Sequence, residues 1–313
     1  LGPQLNQLTP QQLSLGNQLL QTVPNPFQPY VRTGPLSQAR VTQAQLLRPY
    51  PQFLSLYNFR PAMGSSIYHG FQARVEKRYS SGLTLLASLT TGKLIEDTSQ
   101  TVGFLGSAPT HQNVYNRRAS RSLASQDVSR RLVFSYVYDL PFGRGKSLGS
   151  TMPRALDAVI GHWQVNGILT LSTGVPLAIA NAQNNSQAFS ATQYPNVNGQ
   201  SAAMAGGRGT DEKLARWFDT SVFSQPAPFT FGSGPRVLPD VRADGIRGMD
   251  FSVFKDIPIR EAMRVQFRAE MFNVTNTPNF APPGQAFGNP AFGVVNSQFN
   301  TPRQLQLGLK LYY

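Results

Sequence analysis

The sequence predicts an all-β fold, an antiparallel transmembrane β-barrel, and three observations carry that prediction. Apolar and polar residues alternate with period two in segment after segment, which gives each strand one greasy and one hydrophilic face. The connections between these segments alternate between short and long, as they do where tight turns lie on one side of a membrane and loops on the other. Of the 313 residues, 40% are hydrophobic and 14% charged, yet no apolar run reaches the length of a membrane-crossing helix. A barrel satisfies both facts, because it needs an apolar residue only at every second position.

Taken in order, residues 1–50 are rich in Gln, Leu, Pro and Asn. Pro24, Pro26, Pro29, Pro35 and Pro49 interrupt any ladder, so this reads as irregular surface chain with a short helical turn near Gln11 to Leu20. A short strand is expected over Gln52 to Phe59. Ser66 to Tyr79 is the first strong strand, with Ile67, Phe71, Ala73 and Val75 on one parity and Gln72, Arg74, Glu76 and Arg78 on the other. Ser80-Ser81-Gly82 supplies the turn of a hairpin into Leu83 to Lys93, where Leu83, Leu85, Ala87 and Leu89 share a face. A long polar stretch follows, and then Arg130 to Leu140 carries Leu132, Phe134, Tyr136 and Tyr138 on one side until Pro141 breaks it.

Gly161 to Thr173 alternates Trp163, Val165, Leu169 and Leu171 with polar residues. Gly174 and Pro176 mark a bend, after which the ladder is expected to resume briefly to Ala180. Asn181 to Gly245 is long and without period. Arg247 to Asp256 and Met263 to Val274 form a second hairpin turning at Ile257-Pro258, with Met263, Val265, Phe267, Ala269 and Met271 outward and Arg264, Gln266, Arg268 and Glu270 inward. Thr275 to Pro302 leads to the last strand, Arg303 to Tyr313, in which Leu305, Leu307, Leu309, Leu311 and Tyr313 alternate with Gln304, Gln306, Gly308, Lys310 and Tyr312.

Counting back from Tyr313 puts every short connection at one end and the long ones, about 94–129, 181–245 and 275–302, at the other. In a barrel these are periplasmic turns and extracellular loops. The same count places Tyr79, Tyr138, Trp163 and Tyr313 near the periplasmic rim on the apolar parity, where an aromatic girdle belongs. Leu86, Val137, Ile168 and Phe254 face the nominal lumen, so something apolar is expected to pack there.

The balance of 28 Lys+Arg against 15 Asp+Glu gives a net charge of +13. The cations are spread along the chain and not gathered in a run, so no nucleic-acid partner is expected; a cationic lumen or contact with outer-membrane lipid uses the excess instead. Cysteine is absent, which removes disulfides and thiol chemistry. His69, His111 and His162 have no ligand spacing, and no cofactor or metal is expected. Gly145-Lys146-Ser147 ends like a phosphate-binding loop, but Leu140 stands where that loop needs glycine and Pro141 removes a donor. Nothing has a catalytic signature, and the chain is not expected to be an enzyme. It begins at Leu1 without a signal peptide and is expected to be a piece of a longer protein.

Several segments carry a family resemblance: Leu46-Leu47-Arg48-Pro49-Tyr50-Pro51-Gln52-Phe53, Gln72 to Arg78, Arg131 to Tyr136 with Leu140 to Lys146, Trp163 to Gly167, Arg268 to Asn273, and Pro302-Arg303-Gln304. Together they resemble the C-terminal barrel of Oar-like TonB-dependent receptors. Where that family usually reads Asp-Val-Arg-His, this chain has Asp127-Val128-Ser129-Arg130. The resemblance implies the C-terminal segment of a roughly 22-stranded barrel in the bacterial outer membrane, with TonB box, plug and first strands outside this sequence. It further implies TonB as a partner acting through the plug, and an extracellular ligand taken inward. The ending resembles the C-terminal signal read by the barrel-assembly machinery: Gln306, Gly308, Leu311 and the terminal Tyr313.

Two groups of side chains are candidates for function. The inward set Arg74, Glu76, Arg78, Arg264, Arg268 and Glu270 either lines a substrate path or forms a stabilising network of ion pairs between strands. Trp217, Phe218, Phe223, Phe229 and Phe231, in a loop longer than a connection requires, either capture ligand or pack the loop on itself. Two other readings compete: an outer-membrane adhesion or assembly barrel without active transport, and a soluble carbohydrate-binding β-sandwich.

Overall fold

The hairpin of Ser66–Ser80 (β1) and Leu83–Glu96 (β2) sets the geometry of the sheet. The two strands pair from Ser66 opposite Glu96 down to Ser80 opposite Leu83. Ser81 and Gly82 between them have φ of 51° and 78°, the two consecutive left-handed residues of a turn whose twist matches the strands it joins. Gly82 also has no room for a side chain, since a Cβ would stand 2.8 Å from the Asp139 carbonyl oxygen. The computed structural model describes residues 4–57, 64–97, 111–260 and 263–313.

Five more long strands follow: Arg130–Asp139 (β3), Trp163–Ser172 (β4), Ile246–Arg260 (β5), Met263–Phe272 (β6) and Gln304–Tyr312 (β7). Each pairs antiparallel with its neighbours in the chain, so the sheet order is the sequence order, β1 to β7. Such a meander needs only turns and loops at its two ends. Ser122–Leu123 adds a short eighth strand beside the end of β2. Among the described residues the sheet is open: β1 and β7 are its edges, and with the seven long strands alternating both run the same way.

The registers turn alternation within strands into continuous rows across them. Leu85, Tyr136, Gly167, Phe251, Met271 and Leu305 stand side by side on one face. Thr84, Val137, Asn166, Ser252, Glu270 and Gln306 form the neighbouring row on the other. At Gly167 the Tyr136 ring lies flat over the strand, where a Cβ would meet it at 2.5 Å; glycine is what admits the ring. No second layer covers the apolar face within the described residues, and Leu305 and Leu309 are 63% and 76% exposed. A soluble sandwich would bury this face against a second sheet.

Four sequence expectations are corrected here. Residues 52–57 form no strand beyond an isolated bridge from Gln4 to Tyr57, and Asn58 and Phe59 lie outside the described residues. Leu56 and Tyr57 fold back onto the N-terminal segment, with the Leu56 N–H donating to Gln4 Oε1 at 2.7 Å. The second hairpin does not turn at Ile257-Pro258: β5 runs on to Arg260, with Pro258 opposite Arg264. Pairing to β4 stops at Lys255, so Pro258 sits where its strand has lost one neighbour and a missing N–H costs little. After Gly174 the ladder does not resume; Leu177 and Ile179 are buried at 1% exposure, and Ala180–Asn181 pairs in parallel with Ala286–Phe287. Finally, a bulge between Lys77 and Ser80 changes parity, and Tyr79 turns to the polar side, where its hydroxyl donates to Asp139 Oδ2 at 2.9 Å.

The helices lie outside the sheet. Pro10–Leu13 begins with a capping box, Thr9 accepting from the Gln12 N–H and Gln12 Oε1 accepting from the Thr9 N–H. A tight helical turn, Gly16–Leu20, follows it, in the place the composition indicated.

Candidate functional site

The polar sheet face and the loop layer above it are the two places where side chains converge. On the polar face, Arg74 and Glu76 of β1 stand opposite Ser88 and Leu86. The Arg74 guanidinium lies 2.9 Å from the Glu76 carboxylate and Arg78 lies 3.5 Å from it, all three solvent-exposed. On β6, Arg264 stacks over the Tyr312 ring at 4.3 Å. Arg268 donates to Gln266 Oε1 at 2.7 Å and to the Tyr312 hydroxyl at 3.1 Å, with its guanidinium 4.8 Å above Phe254. Glu270 faces Ser252 and Gln306. Four strands separate β1 from β6, so the six candidates form two local networks and not one cluster.

The apolar exceptions on this face find different neighbours. Phe254 lies under Arg268. Leu86 and Ile168 both face Ser135 from either side, and Val137 and Ile168 are 38% and 51% exposed. Beside Ile168 a shallow cleft of about 170 Å³ opens toward Asp250, Ser252, Glu270 and Phe272. In β7, Gln306 stands opposite Glu270, Gly308 opposite Arg268 and Leu311 opposite Val265, while Tyr313 at the chain end is 97% exposed.

The long connections fold into a layer with cores of their own. Trp217, Phe218 and Phe223 are buried with Leu177, Ile179, Val222, Leu238 and Val295. Their rings meet edge to face, Phe218 to Phe292 at 5.1 Å and Phe223 to Phe292 at 5.6 Å, the geometry aromatic quadrupoles prefer. Residues from the loop after β6 thus complete a core begun in the loop after β4. Phe229 and Phe231 pack against a second cluster built on Leu8, Leu13, Leu19, Ala44 and Ala188, which ties the N-terminal segment to the same layer. The aromatic candidates are therefore occupied in packing against other parts of this chain.

Arginines brace this layer, and two of them tie it to the strand ends. Arg236, with no exposed surface, donates to the carbonyls of Ser120 at 2.9 Å and Glu96 at 3.2 Å and sits 3.7 Å from the Glu96 carboxylate at the top of β2. Arg242 meets Asp127 Oδ2 at 2.5 Å and also donates to the Asp127 and Gly174 carbonyls; Asp127 Oδ1 in turn accepts the Leu94 N–H at 2.7 Å. Arg48 donates to the Asn6 carbonyl and lies 3.8 Å above Phe189. Burial lowers Arg48 to about 10, which leaves it charged at neutral pH. His111 is buried in the same region and is held down to about 4, by burial first and then by the repulsion of Arg117 and Arg236 against the pull of Asp97.

A cleft of about 390 Å³ opens in the loop layer beside Trp217, rimmed by Arg208, Lys213, Asp240, Arg242 and Asp244. The Lys213 ammonium stands 4.3 Å over the Trp217 ring, and the indole N–H donates to the Arg242 carbonyl at 2.7 Å. Sequence reasoning missed Arg236, Arg242 and Glu96, which have no period or spacing to mark them, while Arg48 lay within the family-like Leu46 to Phe53 but was not singled out. Asp127 had a signal, as the first residue of the family-like Asp127-Val128-Ser129-Arg130.

A family model described as "Outer membrane beta barrel domain" matches residues 2–306. No curated protein and no solved structure matches the chain. The chain belongs to the outer membrane beta barrel family, and its place is the bacterial outer membrane.

Proposed function

We propose that this outer-membrane barrel domain is the barrel portion of a TonB-dependent receptor, capturing an extracellular ligand in its loop layer and passing it inward. The observation that carries the reading is the loop layer itself. Connections of this length are not needed to join strands, and here they are folded around two hydrophobic cores and keyed to β2 by a buried arginine. A fixed, polar-rimmed cleft beside Trp217 offers hydrogen bonds and both signs of charge to a ligand. Beneath it, the polar face carries the Arg74–Glu76 and Arg268–Gln266 networks along the route a ligand would take. The coupling to TonB rests on the resemblance set out above.

The test uses the full-length protein in two parallel measurements, conductance in a planar lipid bilayer and binding to the purified periplasmic domain of TonB. A receptor closed by a plug gives no steady ion current and binds TonB. A stable open channel with no TonB binding replaces this reading with a barrel that displays its loops for adhesion or assembly.

A further inference from the structure

The connection between β3 and β4, residues 140–162, carries a helix of seven residues, Arg154–Ile160, at the turn end of the sheet. Leu156, Val159 and Ile160 fall at spacings of three and four along it, which puts them on one side. They are 46%, 67% and 41% exposed, and nearby Phe142 and Leu148 are 40% and 50% exposed. The fold buries one residue of the helix, about a quarter-turn round from Leu156. This is Asp157, its Oδ1 accepting the Arg144 N–H at 2.7 Å and its Oδ2 lying 3.3 Å from His162 Nε2. The bond from Arg144 foremost keeps the Asp157 carboxyl below its ordinary range. With Asp157 pinned inward, the roll of the helix is fixed and its apolar stripe faces out.

Trp163 fixes where that stripe lies. It opens β4 on the apolar face, opposite Lys255, and its indole N–H donates to the Val159 carbonyl at 2.8 Å. Lys255, a cation on the apolar parity, donates to the Gly161 carbonyl and stands 5.4 Å from the Trp163 ring. The last turn of the helix therefore sits against the rim of the apolar face and shields that cation. The segment also holds Arg144, Lys146 and Arg154 against a single carboxylate, Asp157, which is turned inward.

We infer that residues 140–162 are an interfacial foot, with the helix lying in the headgroup layer of the leaflet at the turn end. Leu156, Val159 and Ile160 enter the boundary of the acyl chains, and Arg144, Lys146 and Arg154 meet the phosphates of anionic phospholipid. Lipid is the occupant because the stripe continues the surface that already faces lipid, and because the cations match phosphate. The aromatic at the junction is the residue type that favours this depth.

The chain has no cysteine, so a label introduced in it is unique once any cysteine elsewhere in the full-length protein is replaced by serine. The full-length protein carrying V159C, tagged with an environment-sensitive fluorophore, is assembled in phosphatidylcholine vesicles with or without phosphatidylglycerol. Brominated lipid and aqueous iodide serve as quenchers, and L307C is the control for the lipid-facing sheet. The expected result is quenching of the Val159 label by lipid brominated near the headgroup, rising about twofold with phosphatidylglycerol. In the background R144Q/K146Q/R154Q that rise disappears while heat-modifiable migration stays normal. A label open to iodide and untouched by brominated lipid overturns the inference. A label shielded from both does so too, since protein then covers the stripe. If the L307C label also escapes lipid quenching, the sheet is not in the bilayer and the foot falls with it.

Discussion

The sheet and the loop layer handle burial in opposite ways. In β1 to β7 the buried residues are Glu96, Gly167, Lys255 and Gln266, none of them a large apolar side chain. In the loops, irregular backbone surrounds Leu177, Ile179, Phe218 and Leu238 at 4% exposure or less. The ladder explains the difference. Strands satisfy their own N–H and C=O groups, so their side chains are free to face a solvent that offers no hydrogen bonds. The loops have only two-residue ladders and scattered backbone bonds, so a loop core also needs side chains to supply partners the backbone lacks. Arg236, Arg242 and Gln112 do this, Gln112 donating to the Gly232 carbonyl and accepting from the Tyr194 and Gly232 N–H groups. What holds the loops is therefore apolar cores together with long-range polar bonds that satisfy the backbone around them, whereas what holds the sheet is backbone pairing plus lipid.

The contrast is open to three tests, in descending order of expected effect. Phe218→Ala leaves a cavity between Phe223 and Phe292 and is expected to cost about 3–5 kcal/mol. Limited proteolysis would show the loops cut while heat-modifiable migration, a property of the sheet, is retained; loss of both together would mean the regions are one cooperative unit. Leu309→Arg places a charge on the lipid face in the middle of β7, where about 2–4 kcal/mol is expected. Unfolding from lipid vesicles in denaturant measures it, and an unchanged midpoint would show that this face is not in hydrocarbon.

The third test is acid. His111 is neutral when folded, since its pKa is held down to about 4 from the ordinary 6.5. The unfolded loop takes up its proton first, so His111's contribution is whole above about 6.5, declines as pH falls, and is gone near 4. The full loss is on the order of 3 kcal/mol. Protease susceptibility of the loops should rise through that window in the parent protein and stay flat in His111→Gln.

Strand identity was legible because it depends on local alternation. The parity of Leu305 to Leu311, or of Val265 to Met271, survives in the registers unchanged. One inserted residue was enough to mislead at Tyr79, where the bulge before Ser80 reversed the face. The adjacent pair Arg74 and Glu76 was likewise readable as neighbours two apart on one strand. The loop layer was not readable, because its contacts join residues far apart: Arg236 reaches Glu96 across 140 positions and Gln112 reaches Gly232 across 120. Loop length marked Trp217, Phe218 and Phe223 as candidates, but not the direction in which they point. That direction is set by Phe292, from another loop.

The two margins of the sheet, β1 and β7, descend in the same sense. Joining them to each other would create a parallel seam, and a ring built wholly of up-and-down neighbours has an even number of staves. A ring of that kind formed on these seven long strands takes an odd number more, beginning and ending with a strand that rises.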